Sequence, residues 1–189
     1  MATLRTFLAI ETPDEVQSQA ARLIDQLSRV QAPVRWVEPE NLHFTLKFLG
    51  DVNLTDTAEI CRRVARVTAA WAPIDLIVEG LGAFPSIERP RTIWVGASDG
   101  GERLAELCAA IEETLAEMGF NREQRRFTPH ITIGRVRGTK QMQQLAELLQ
   151  EHDDFLAGPM TADEVVLFSS ERAADGPFYQ SLGRARLDG

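Results

Sequence analysis

Two stretches of the chain carry one pattern, His43-Phe44-Thr45-Leu46 and His130-Ile131-Thr132-Ile133: a histidine, any residue, a threonine, an aliphatic residue. With three histidines and 13 threonines in 189 residues, two such matches arise by chance with a probability of only about 0.015, before the aliphatic position is counted. Polar and apolar residues alternate through each stretch, the period of a strand with one packed face. The repeat of such a strand 87 residues apart (43 to 130) supports two related halves.

The surroundings of the two stretches agree. Each half reads as a His-x-Thr strand, a helix, a strand ending near Phe84 or Phe168, a polar loop holding Glu88-Arg89 or Glu171-Arg172, and a return strand. Around this frame, residues 3–10 read as a strand, and Thr12-Pro13-Asp14-Glu15 as a helix start with a capping threonine. Val16, Ala20, Leu23, Leu27 and Val30 give that helix one apolar face. Short strands are predicted at 34–37 and 42–49, the latter broken by Gly50-Asp51. Helices are predicted from about Asp56, from about Leu104 to Gly119, and over 139–150. Further strands fall at 74–84, 92–95, 130–136, 164–168 and 178–186, the last two flanking a loop from Ser170 to Pro177. Several strand pairs sit too close for helical crossovers, so the fold is expected to be α+β with antiparallel sheets.

The bulk properties narrow the function classes. The length allows one domain or two small packed lobes, and the expectation is one domain over 1–189 made of two intertwined lobes. No apolar run approaches the ~20 residues that span a bilayer, and residues 1–5 lead straight into a strand, so a cytoplasmic protein is expected. Net charge is −8 with no basic run longer than two residues, which argues against extended duplex binding and leaves room for a pocket that takes one nucleotide or one RNA end. Cys61 and Cys108 both fall in helical patterns and read as reduced, buried thiols.

On a strand, His43 and Thr45 point to one side, as do His130 and Thr132, with imidazole and hydroxyl about 7 Å apart. If the two strands face each other, they enclose two imidazoles and two hydroxyls. That set suits phosphoryl transfer without metal: one neutral histidine takes a proton from the attacking oxygen and the other gives one to the leaving oxygen. The threonine hydroxyls donate hydrogen bonds to nonbridging phosphate oxygens. A zinc site is the rival reading of two histidines, but no carboxylate or cysteine follows ligand spacing. His152, in an acidic stretch at a helix end, reads as solvated and assisting the helix C-terminus.

These residues resemble the 2H phosphoesterase superfamily, and within it the bacterial RNA 2′,3′-cyclic phosphodiesterases, also called the 2′–5′ RNA ligase family. The likeness covers essentially the whole chain, through residues 5–10 (RTFLAI), 41–50 (NLHFTLKFLG) and 127–135 (FTPHITIGR). It implies a bilobal α+β fold with a central cleft and metal-independent hydrolysis of a terminal 2′,3′-cyclic phosphate to a 2′-phosphate, with 2′–5′ ligation as the reverse reaction. By the same resemblance His43 is the proton donor, His130 the proton acceptor, and Thr45 and Thr132 bind phosphate. Phe48 and Arg135, each five residues after its histidine, would sandwich the terminal base. Strict alternation puts both on the wrong face, so a twist or strand end near Gly50 and Gly134 is required, while core packing is the competing role for Phe48. Lys47 has the parity to face the cleft. No cofactor, metal or membrane is expected, and the partner is an RNA end bound by a monomer. A phosphodiesterase of small cyclic nucleotides or ADP-ribose cyclic phosphate, and a noncatalytic module holding a nucleotide or RNA end, are the alternatives.

Overall fold

A single curled sheet carries the whole molecule. The computed structural model describes residues 3–173 and 176–189. Its nine strands are β1 (Thr3–Glu11), β2 (Val34–Trp36), β3 (His43–Asn53), β4 (Ile74–Phe84), β5 (Thr92–Ala97), β6 (His130–Val136), β7 (Leu156–Ala162), β8 (Glu164–Ala173) and β9 (Gly176–Arg186). They run in the order β7-β4-β5-β6-β3-β1-β8-β9, with β2 beside β6, and every pairing is antiparallel. The halves of the sheet meet at one residue pair, Phe44 with Ile131, the central residues of the two motifs. The strands part on either side of that pair, and the parting is the cleft.

Four helices, α1 (Asp14–Ser28), α2 (Thr57–Thr68), α3 (Gly101–Ala116) and α4 (Met142–Glu151), cover the convex face. Their apolar stripes (Val16, Leu23 and Leu27; Ile60 and Val64; Leu104, Leu107 and Ile111; Leu145 and Leu149) join Leu8, Phe44, Leu46, Ile131 and Ile133 in the main core. Helix α2 lies on β8 and β9, whereas α1, which follows β1, crosses to pack on β7 of the other half. The concave face carries its own small cluster of Phe7, Ala9, Val166 and Phe168, with Tyr179 packed against it.

Several expectations are corrected. Thr12 does not cap α1: its hydroxyl donates to the Leu42 carbonyl at 2.9 Å, tying the helix entry to the first motif. Gly50-Asp51 does not end β3, which runs on to Asn53 because Gly50 takes a positive φ of 74° and is absorbed as an irregularity against Thr6. The predicted loop between Ser170 and Pro177 is strand up to Ala173 and from Gly176, while residues 174–175 and the side chain of Arg172 lie outside the described residues. Strand β7 was not foreseen. It contains Gly158 and Pro159, residues that punctuate most strands, and it sits at a sheet edge where proline is tolerated.

Candidate active site

The same backbone irregularity follows both histidines. Along β1 and β3, Ala9 pairs with Thr45 and Leu8 with Lys47, so Leu46 has no partner. Along β5 and β6, Trp94 pairs with Thr132 and Ile93 with Gly134, so Ile133 has none. Each motif therefore ends in a β-bulge at its aliphatic fourth residue. A bulge turns two successive side chains to one side and offsets the alternation beyond it. Leu46 and Lys47 are both buried away from the cleft, and so are Ile133 and Gly134. Phe48 and Arg135 are thereby returned to the face that carries the histidines and threonines.

That offset settles three of the sequence readings. Phe48 is 58% exposed and packs on the cleft-side Phe7 with ring centroids 5.9 Å apart, so it is not a core residue. Arg135 is exposed, and its positive charge is felt by both His43 and His130. Lys47 does not face the cleft. It is buried on the opposite side, where its ammonium pairs with Glu112 of α3 and donates to the Asn121 carbonyl at 2.8 Å.

The histidines are held alike. His43 Nδ1 lies 2.7 Å from the Asn41 carbonyl, and His130 Nδ1 lies 2.7 Å from the Thr128 carbonyl, two residues back in each case. A carbonyl only accepts, so Nδ1 carries the proton in both rings. Nε2 is then the working atom, a base in the neutral ring and an acid in the cation. Because the two strands run antiparallel through the Phe44–Ile131 pair, Thr132 lies on the His43 side of it and His130 on the Thr45 side.

The two rings differ in their surroundings. His43 packs between Phe7 (centroids 5.0 Å) and the edge of Tyr179 (5.5 Å). His130 meets Phe84 edge-on (5.1 Å) and Trp94 (6.1 Å). Trp94 lies over Gly82, where a Cβ would fall 2.4 Å from the indole, and its buried Nε1–H finds no acceptor among the described residues. Burial in these aromatic walls holds both imidazoles below their ordinary pKa; the backbone carbonyl opposes this and Arg135 adds to it. Glu11, opposite His43 in the β1–β3 ladder, favours the cation of His43 alone.

Sequence reading missed Phe7, Glu11, Phe84, Trp94, Phe168 and Tyr179. The register supplies them: Phe7, Ala9 and Glu11 are the β1 partners of Phe48, Thr45 and His43, and Trp94 is the partner of Thr132. The one tyrosine in the chain was the only compositional hint. His152 does end α4, as expected, with Nδ1 3.0 Å from the Leu148 carbonyl, and its Nε2 reaches Gln26 of α1 at 3.1 Å. Among the described residues no group of three or more His, Cys, Asp or Glu side chains is placed to hold a metal ion, and no helix is long and apolar enough to cross a membrane.

Two histidines held alike through Nδ1, each with a threonine two residues on and brought to the seam between the sheet halves, form an arrangement of the two-histidine phosphoesterase kind. The model of the 2′-5′ RNA ligase superfamily matches residues 8–174, and the chain belongs to that superfamily. A protein of Methanothermobacter thermautotrophicus named RNA 2′,3′-cyclic phosphodiesterase is 35% identical over 184 residues, covering 97% of this chain and 99% of that protein. One of the same name from Aeropyrum pernix is 37% identical over 162 residues, covering 86% and 91%. The crystal structure of E. coli LigT complexed with 3′-AMP superposes with a TM-score of 0.79 over the whole of both chains at 24% identity, which shows the α+β bilobal fold.

Proposed function

We propose that this chain hydrolyses the 2′,3′-cyclic phosphate at RNA 3′ ends to a 2′-phosphomonoester, without metal. The neutral His130 Nε2 takes a proton from water as its oxygen bonds to phosphorus. The bond from phosphorus to the 3′ oxygen breaks, and His43, as the imidazolium, gives that oxygen its proton. The threonine hydroxyls of Thr45 and Thr132 hold the nonbridging oxygens while charge builds on them. Phe48 and Arg135, both exposed on the cleft face, offer an aromatic ring and a guanidinium plane to the terminal base.

The observation that carries this reading is the matched pair of Nδ1–carbonyl hydrogen bonds, which leaves Nε2 of both histidines for proton transfer. Glu11 favours the acid role for His43, because a carboxylate near one ring alone stabilises its cation. The names of the relatives support the substrate class. The same groups run in reverse would join a 2′,3′-cyclic end to a 5′ hydroxyl as a minor activity. The enzyme works in this reading as a cytoplasmic monomer on RNA ends.

The test is a short RNA ending in a 2′,3′-cyclic phosphate, incubated in excess EDTA, with products resolved by chromatography. A 2′-phosphate product is expected. Unchanged RNA that is nevertheless bound would replace the enzyme with a receptor for RNA ends.

A further inference from the structure

Beside the site stand two guanidiniums that no carboxylate pairs with among the described residues. Arg35 and Arg135 are directly opposite in the β2–β6 ladder and share the cleft face. Neither has an ion-pair partner among the described residues. Like charges so placed destabilise a sheet, and this chain has acid to spare, 28 Asp and Glu against 20 Lys and Arg. A cation pair with no ion-pair partner among the described residues is suited to an anion from outside.

The two arginines sit at different depths. Arg135 acts on both His43 and His130, whereas Arg35 acts on neither and is felt at Tyr179. A Cβ built on Gly176 would lie 3.2 Å from Nη2 of Arg35. The Arg35 side chain thus leaves β2 on one half of the sheet and reaches the start of β9 on the other, across the mouth of the cleft. Of the two, Arg135 is the nearer to the histidines and Arg35 the farther.

We propose that Arg35 binds a second phosphate, the phosphodiester that joins the terminal nucleotide to the one before it. The inference rests on the RNA-end reading above and sharpens its substrate class: an RNA strand, not a nucleoside 2′,3′-cyclic monophosphate. A guanidinium suits the task because its planar fork matches two phosphate oxygens at once. Phosphate between Arg35 and Arg135 also offsets the repulsion between the two like charges.

The experiment compares a nucleoside 2′,3′-cyclic monophosphate with a dinucleotide and an octanucleotide, each ending in the same cyclic phosphate. Steady-state kinetics and equilibrium binding are measured for wild type, Arg35→Gln, Arg35→Lys and Arg103→Gln, the last an exposed arginine on α3. Wild type is expected to prefer the dinucleotide through KM. R35Q should reduce that preference roughly 10- to 100-fold, with kcat largely kept, the size of a charge-assisted hydrogen bond. R35K should recover only part of it, and R103Q should match wild type. Equal losses on mononucleotide and dinucleotide, or no loss on either, would overturn the proposal. If no substrate is turned over, the phosphodiesterase reading falls, and the ratio of binding constants still reports on Arg35.

Discussion

Behind the first motif lies a buried ion pair, and behind the second lies a tryptophan. The residue after the Leu46 bulge is Lys47, whose ammonium is sequestered with Glu112 and the Asn121 carbonyl. The residue after the Ile133 bulge is Gly134, over which the Trp36 ring is laid so closely that a Cβ would fall 2.7 Å from it. The bulged carbonyls find different donors as well. Leu46 O accepts from the Cys108 thiol at 3.1 Å, whose pKa burial raises to about 12, and Ile133 O accepts from the Val37 amide at 2.9 Å. One backbone device has been fixed by two unrelated sets of side chains. What the halves hold in common is the bulge and what it does: it puts the residue five after each histidine back on the face that carries the histidine.

The comparison is broken hardest at the histidines themselves. His43→Ala and His130→Ala are each expected to lower turnover roughly 10²–10⁴-fold with the fold intact. An aryl phosphodiester separates them, because its leaving group departs without a proton. On that substrate the His43→Ala deficit should shrink and the His130→Ala deficit should stay. Equal deficits on both substrates would remove the division into acid and base.

The props come next. Lys47→Met leaves Glu112 without its cation in a site where the lysine is 2% exposed, so a destabilisation of about 3–5 kcal/mol is expected in thermal or denaturant unfolding. Glu112 also accepts from the Glu123 amide at 3.0 Å. The pair therefore ties the first motif to the segment that leads into His130, and Lys47→Met should lower kcat beyond its effect on stability. The double change Lys47→Met with Glu112→Leu should regain much of the stability. Gly134→Ala drives a methyl into Trp36 and Val34, and overpacking of this kind costs about 1–3 kcal/mol. If the second bulge depends on that contact, KM should rise through misplacement of Arg135 while Phe48 is unaffected.

The sequence carried the strand that each histidine sits on, because alternation of polar and apolar residues is local. Strand β6 was delimited at His130–Val136 by that pattern alone. It did not carry the bulges, which exist only between two strands: nothing in Leu46 or Ile133 announces that a neighbour will skip them. Hence Lys47, placed by strict parity in the cleft, is in the core, while Phe48 and Arg135, placed by parity in the core, are in the cleft. The aromatic walls were equally out of reach, since Phe7, Trp94 and Tyr179 come to the histidines through strands up to 136 residues away in the chain (43 to 179). Likeness to a family put Phe48 and Arg135 on the cleft face, which parity denied, and the register shows how both residues come to lie there.

The smallest effect tests the electrostatics of the two halves together. Both imidazoles have folded pKa values below the ordinary one, so the unfolded chain binds more protons than the folded chain as pH falls through about 6.5. Stability should therefore decline on acidification through that range, and His43→Ala should decline less. Arg135 lowers both rings, whereas Glu11 raises only His43. Arg135→Gln should then move both limbs of the kcat/KM profile to higher pH. Glu11→Gln should move the limb set by His43 alone, and to lower pH. Arg135 is exposed, so its influence is screened by ions, and raising the salt concentration should bring the wild-type profile toward that of Arg135→Gln. A profile in which Arg135→Gln shifts one limb and Glu11→Gln shifts both would mean that the arginine faces a single histidine and that the carboxylate serves the two in common.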